Sequence, residues 1–269
     1  MRILLTGDFQ LDEFAGALAE MKRACEVVSQ SSVTAAAEWL QAGEAPVDLI
    51  VVAQTRPGQV DAAAIESLRR AAPLAPIVGL LGSWCEGEMR SGFPWPGVPR
   101  VYWHQWPSRF SEERSCLAAG KPGTWTMPLT ATPEERLLSS VRSPDGAIQG
   151  LAAVVSRYCE IAEWLAAACR QTGMSAIVLP DLPSTRIDGI DIVLWDAGLP
   201  TPRLIDDFGR LATCFAGTPV LVLLDFPRSD DVRQLSGAGA AAVLAKPLLV
   251  ADLIGQIEPL LLSKKCSRG

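Results

Sequence analysis

Asp196 and Lys246 are the residues of this chain whose type and placement invite chemistry. Asp196 ends the apolar run in DIVLWDAGLP, and Lys246 ends the run that begins at GAGAAAVLA and is followed by Pro247. Between them TPVLVLLDF supplies another run, with Leu224 near its end. Near-continuous apolar runs separated by amphipathic segments of helix length read as buried parallel strands. The carboxyl ends of such strands form the crevice of an open α/β sheet, so a carboxylate and an ammonium on neighbouring strands can meet there. An earlier run, LAAVVSRY, brings Ser156 and Arg157 to the same edge.

In this order the runs resemble the receiver domain of bacterial response regulators. In that family the Asp ending the third strand accepts a phosphoryl group, a Thr or Ser ends the fourth, and a Lys followed by a cis-Pro ends the fifth. Asp196, Lys246 and Pro247 match; Leu224 does not. Receivers also carry an acidic pair after the first strand to hold Mg²⁺, and Ser156 and Arg157 stand in its place. Mg²⁺ takes hard oxygen ligands, and a guanidinium beside it would repel it. The expectation is therefore a degenerate, or pseudo-receiver, site in which Asp196 forms a permanent ion pair with Lys246 or Arg157. Removing either Asp196 or Lys246 is expected to destabilise the domain equally. The resemblance is specific over about residues 190 to 258 and topological elsewhere.

The first half repeats the alternation. Arg2 to Thr6 reads as a strand, Leu11, Phe14, Leu18, Met21 and Cys25 recur at helical spacing, and CEVVSQ, VDLIVVAQ, PIVGLLG and RVYWHQWP supply further strands. Superposed on the second half, the acceptor place is Ala53, the hydroxyl place Leu81 and the lysine place Trp106, with Asp8 left from the acidic pair. The fold class expected is α/β, with two flavodoxin-like doubly wound domains, each a five-stranded parallel sheet flanked by helices. In the first, a Gly/Pro-punctuated loop over 82–107 replaces the fourth helix.

That loop is rich in aromatics. Trp84, Glu86, Arg90, Trp95, Tyr102, Trp103, His104 and Trp106 form a candidate interaction surface, because Trp, Tyr and Arg anchor protein interfaces. The competing reading is a self-packed loop that seals the sheet where a helix is missing. His104 with Cys85, Glu86 and Glu88 lacks metal-ligand spacing and reads as a structural histidine. No GxSxG, GxGxxG or GxxxxGK[ST] motif is present, so neither a nucleophile elbow nor a nucleotide loop is indicated.

The 269 residues suffice for two domains. Expected boundaries are 1–120 for the first, 121–150 for a linker, 151–262 for the second and 263–269 for a basic tail. A net charge of −6 argues against nucleic acid, and no apolar run reaches the roughly 18 to 20 residues of a membrane span. Seven cysteines without CxxC spacing fit reduced thiols in a cytoplasmic protein. Together with the resemblance, this implies a non-catalytic adaptor in phosphorelay signalling, without cofactor, whose partner is a histidine kinase or another signalling protein; homodimerisation is left open. Two alternatives stand beside it. One is a phosphoacceptor regulator using Asp196 with Mg²⁺; the other is an enzyme or ligand binder built on His104 and the Trp-rich loop.

Overall fold

The computed structural model describes residues 1–43, 45–88, 95–128, 130–139 and 148–266. The chain divides into two compact units, Met1–Ser140 and Val141–Gly269.

In the first unit the strands are β1 (Arg2–Gly7), β2 (Glu26–Gln30), β3 (Leu49–Gln54), β4 (Ile77–Leu81) and β5 (Arg100–Tyr102). All pair in parallel, in the order β2-β1-β3-β4-β5. β3 is buried at every residue, as a central strand covered on both faces must be. Helices α1 (Ala15–Ala24), α2 (Val33–Gln41) and α3 (Ala62–Ala71) make the crossovers. Ser32 and Asp61 cap α2 and α3 by accepting from the N–H groups of Ala35 and Ala64. Leu4, Ile50 and Val52 turn to the α2 and α3 face, where Ile65 and Leu68 meet them. Alternation sends Ile3, Leu5 and Val51 to the other face.

Between β4 and β5 the described residues contain the short 3₁₀ turn Ser83–Cys85 and no α-helix. After β5 comes α4 (Trp106–Ala118), and α5 (Pro133–Ser139) closes the unit. The stretch expected to be linker thus belongs in large part to the first unit. Trp125 is buried, with its ring 5.3 Å from that of Trp106 and 6.3 Å from that of Phe110. The buried Glu113 on α4 accepts from the Thr124 hydroxyl and from the Trp125 N–H at 3.0 Å.

The second unit has β6 (Leu151–Val155), β7 (Ser175–Leu179), β8 (Ile192–Gly198), β9 (Val220–Asp225) and β10 (Ala242–Lys246), in the order β10-β9-β8-β6-β7. Numbered within each unit, both orders are 2-1-3-4-5, the doubly wound flavodoxin-like arrangement that receivers share. Helices α6 (Cys159–Gln171) and α9 (Val250–Cys266) cover one face, where Leu165, Cys169, Leu253 and Ile257 meet Leu194 and Leu223. On the other face Phe208 and Leu211 of α7 (Leu204–Cys214) and Leu235 of α8 (Ser229–Gly237) meet Val193, Trp195 and Leu224. Between β7 and β8 residues 180–191 form no helix. α9 runs into the expected basic tail as far as Cys266; 267–269 lie outside the described residues.

Candidate functional site

The second unit brings Asp196, Lys246 and Ser156 together at the carboxyl edge of its sheet. Asp196 lies on β8, Lys246 ends β10, and Ser156 immediately follows β6. The Lys246 ammonium lies 2.5 Å from Asp196 Oδ1 and 3.0 Å from Asp225 Oδ1. Ser156 Oγ donates to Asp196 Oδ2 at 2.7 Å. Both Asp196 oxygens are therefore engaged, and its side chain is 0% exposed against 14% for that of Lys246. Burial alone would lower the Lys246 pKa, but its bonds to Asp196 and then Asp225 outweigh that and hold it above the ordinary lysine value. The Lys246-Pro247 peptide is cis.

Arg157 corrects one expectation. It is not beside Asp196. The strand ends at Val155, Ser156 turns inward, and Arg157 turns out to solvent, 3.5 Å from the equally exposed Asp181. Asp225, one residue beyond Leu224, takes the second place on Lys246. Leu224 itself points away into the α7 and α8 core at 0% exposure. Alternation along β9 shows why: Leu223 and Asp225 lie on the face that Leu194 and Leu244 share, with Asp225 opposite Lys246, while Leu224 turns to the other face. Asp225 is detectable in sequence as the first charged residue after the run, though nothing there says that it faces Lys246.

A receiver's Mg²⁺ does not fit this donor set. Where an acidic pair would stand there are one buried hydroxyl and one outward guanidinium, and both carboxylates in the crevice already hold an ammonium. Among the described residues no group of three His, Cys, Asp or Glu is placed to hold a metal.

In the first unit the corresponding edge carries no acceptor. Gly7 pairs with Ala53, and a Cβ on Gly7 would lie 2.2 Å from the Ala53 carbonyl oxygen at φ +98°, so the acceptor place packs against bare backbone. The register corrects the lysine place. Leu81 pairs with Tyr102, so the next residue, Trp103, stands where Lys246 stands in the second unit. The 3₁₀ turn Trp103–Gln105 carries Trp106-Pro107 onward into the first turn of α4. Trp103 Nε1 donates to Ser83 Oγ at 3.0 Å, while Ser83 gives its hydroxyl to Glu13 Oε1 at 2.7 Å and its N–H to Glu13 Oε2 at 2.9 Å. A hydrogen-bonded lock on the Glu13 carboxyl group thus occupies the corner that a lysine ion pair fills in the second unit. No motif links Glu13, Ser83 and Trp103, so sequence reading did not reach it. Asp8, at the place of Arg157, accepts from Gln10 N–H and the Thr55 hydroxyl.

The aromatic loop divides the same way. Trp95, Trp103 and Trp106 are buried, which corrects their reading as a contact surface; Trp84 stays 70% exposed, with the Arg56 guanidinium 5.5 Å from its ring centre. Tyr102 donates to the Cys85 carbonyl. His104 stacks on Tyr102, meets the Trp103 ring edge-on, and sets Nε2 3.3 Å from Glu86. Arg90 lies outside the described residues. A cavity of about 1060 Å³ opens in this unit over the ends of β1 to β3; Asp8, Ser32 and Gln59 line it, and His104 does not.

No family model matches the chain, and no curated protein does. Solved structures of receivers do. A response-regulator receiver domain protein from Clostridium thermocellum is 18% identical, with 44% of this chain and 98% of that one covered and a TM-score of 0.37. A CheY-like receiver domain protein from Methanospirillum hungatei is 15% identical over 45% and 99%, with a TM-score of 0.39. The chemotaxis protein CheY4 of Vibrio cholerae is 16% identical over 42% and 100%, with a TM-score of 0.37. The receiver-type fold of the two units rests on their strand order, and these likenesses add nothing about chemistry.

Proposed function

We propose that this chain is a non-catalytic tandem receiver-like adaptor, a protein-contact module of phosphorelay-type signalling in the cytoplasm. It needs no cofactor, and its partners are signalling proteins such as a histidine kinase. One observation carries the reading: Asp196, the single acceptor-place carboxylate of the two units, is wholly enclosed, with one oxygen on Lys246 and the other on Ser156. A phosphoryl donor must reach a carboxylate oxygen in line, and neither is accessible here. The first unit offers Ala53 at that place.

Contact surface exists around the closed crevice. Tyr158, Leu199 and Phe226 follow Ser156, Gly198 and Asp225 in the loops beyond β6, β8 and β9, and they are 59%, 62% and 68% exposed. Phe226 is moreover held at φ 49°, a conformation bulky residues rarely adopt. Two exposed aromatics and a leucine on the loops beyond these strands suit recognition by another protein. Among the described residues no helix is long and apolar enough to cross a membrane.

The test is intact mass spectrometry after incubation with acetyl phosphate and Mg²⁺. The mass is expected to stay unchanged. A phosphoryl adduct that disappears in Asp196→Asn would replace this reading with that of an active phosphoacceptor.

A further inference from the structure

A sheet in a soluble protein must do something with its edges, because an edge strand presents unpaired N–H and C=O groups. Among the described residues the two sheets have four edges, and three of them are managed. β2 exposes only polar residues, with Glu26 tied to Arg2 at 2.6 Å; β5 is three residues long; β10 is buried or half-buried throughout and flanked by α8 and α9.

β7 is different. Its five residues, SAIVL, carry no charge, no proline and no bulge, and Ser175, Ile177 and Val178 are exposed. Ser175 N–H bonds the Gly150 carbonyl and the Leu179 carbonyl accepts from Ser156 N–H, so the odd-numbered residues turn their backbone groups towards β6. Alternation therefore turns the N–H and C=O of Ala176 and Val178 to the open edge. The faces are open as well. Where a crossover helix would flank this edge, residues 180–191 run as a loop, which leaves Ile177 37% exposed on one side while Val178 is 38% exposed on the other.

We infer that β7 is a self-pairing edge, joining a second copy of this chain as an antiparallel strand across a two-fold axis at Ile177. The backbone asks for an extended strand as occupant, since only another strand satisfies a row of alternating donors and acceptors. The side chains favour a second copy. At a two-fold axis each residue meets its own kind or its mirror position, and an uncharged SAIVL meets itself without repulsion. With the axis at Ile177, Ala176 of one copy exchanges hydrogen bonds with Val178 of the other. The two Ile177 side chains then form the close, non-hydrogen-bonded pair, with Cα atoms about 4.5 Å apart. The two five-stranded sheets become one continuous sheet. This inference is independent of whether Asp196 accepts a phosphoryl group.

Sedimentation velocity of the full chain over a concentration series tests it, with Val178→Pro and Ile177→Lys compared with the wild type. Proline at 178 deletes an outward N–H that β6 does not use; lysine at 177 places like charges against each other at the axis. Wild type is expected to dimerise, and each folded variant to dimerise at least about tenfold more weakly. Should Val178→Pro fail to fold by circular dichroism, Ile177→Lys decides alone. Ile177→Cys is also expected to form a covalent dimer under mild oxidation, at a spacing a disulfide spans, while the wild type does not. A wild type that stays monomeric at all concentrations, a dimer indifferent to these substitutions, or an edge that pairs only with another protein's strand would overturn the proposal.

Discussion

Lys246 holds Asp196 and Asp225 on one ammonium, at 2.5 and 3.0 Å, and the two carboxylates are not equivalent partners: Asp196 is enclosed, whereas the side chain of Asp225 is 33% exposed. The pair expected from sequence is thus a triad, and its loss is asymmetric. Lys246→Ala strands a buried carboxylate with only Ser156 to oppose its charge. Asp196→Ala leaves Lys246 still bonded to Asp225. Breaking a buried pair so that a charge is left uncompensated costs about 3 to 5 kcal/mol. Urea unfolding of the second unit is expected to show that loss for Lys246→Ala, a smaller one for Asp196→Ala and the least for Asp225→Ala. Equal losses for the first two would mean that Asp225 gives Lys246 no support.

The same triad sets an alkaline limit. The Lys246 pKa is raised from 10.5 because its two carboxylate bonds outweigh burial. A group whose folded pKa lies above its unfolded value contributes stability fully below the unfolded pKa and loses it as pH rises through the folded one. The stability difference between wild type and Lys246→Met should therefore be constant from neutral pH to about 10 and shrink above 10.5. Denaturant midpoints measured for both proteins across that range check it, and a difference that began to shrink at pH 8 would count against a raised value.

How far the sequence could be read follows from where each residue stands. Asp196 and Lys246 were legible because both terminate long apolar runs, and parallel topology sends such ends to one edge. Arg157 was misplaced because β6 ends with its apolar run at Val155, and of the two residues that follow only Ser156 turns inward. Trp106 was misplaced by a 3₁₀ turn of three residues, a short element that periodicity does not register. The Glu13, Ser83 and Trp103 lock joins residues 70 apart in the chain, beyond any local pattern. The open edge at β7 lay beyond the sequence, because the exposure of Ile177 and Val178 needed coordinates.

The aromatics of the first unit divide between core and surface in a way that mutation can read. Trp106 is fully buried and stacks on Phe110 at 5.2 Å, while Trp84 is 70% exposed. Truncating a buried Trp to Ala typically costs about 3 to 5 kcal/mol. Trp106→Ala is expected to unfold the first unit by that margin, and Trp84→Ala to stay within about 0.5 kcal/mol of wild type. Thermal melts followed by circular dichroism separate the two. A Trp106→Ala protein as stable as wild type would return that side chain to the candidate contact surface.

Glu113 makes the packing of the 121–139 stretch depend on pH. Its carboxyl is buried on α4, Oε1 receives Thr124 and Trp125, and Oε2 has no hydrogen-bond partner among the described residues; a Cβ on Gly123 would come within 1.9 Å of that oxygen. Burial raises the pKa of Glu113 more than its hydrogen bonds from Thr124 and Trp125 lower it. The folded value lies above 4.5, so by linkage the contribution is complete below pH 4.5 and declines as pH rises through the folded pKa. Glu113→Gln keeps an acceptor for Trp125 N–H but cannot ionise, and should remove that decline. Gly123→Ala forces Glu113 aside in a packed site, with a loss of roughly 1 to 3 kcal/mol. Tryptophan emission from Trp106 and Trp125, followed in urea at a series of pH values from 4 to 8, reads both effects. A Glu113→Gln protein with the wild-type pH dependence would place the titrating group elsewhere.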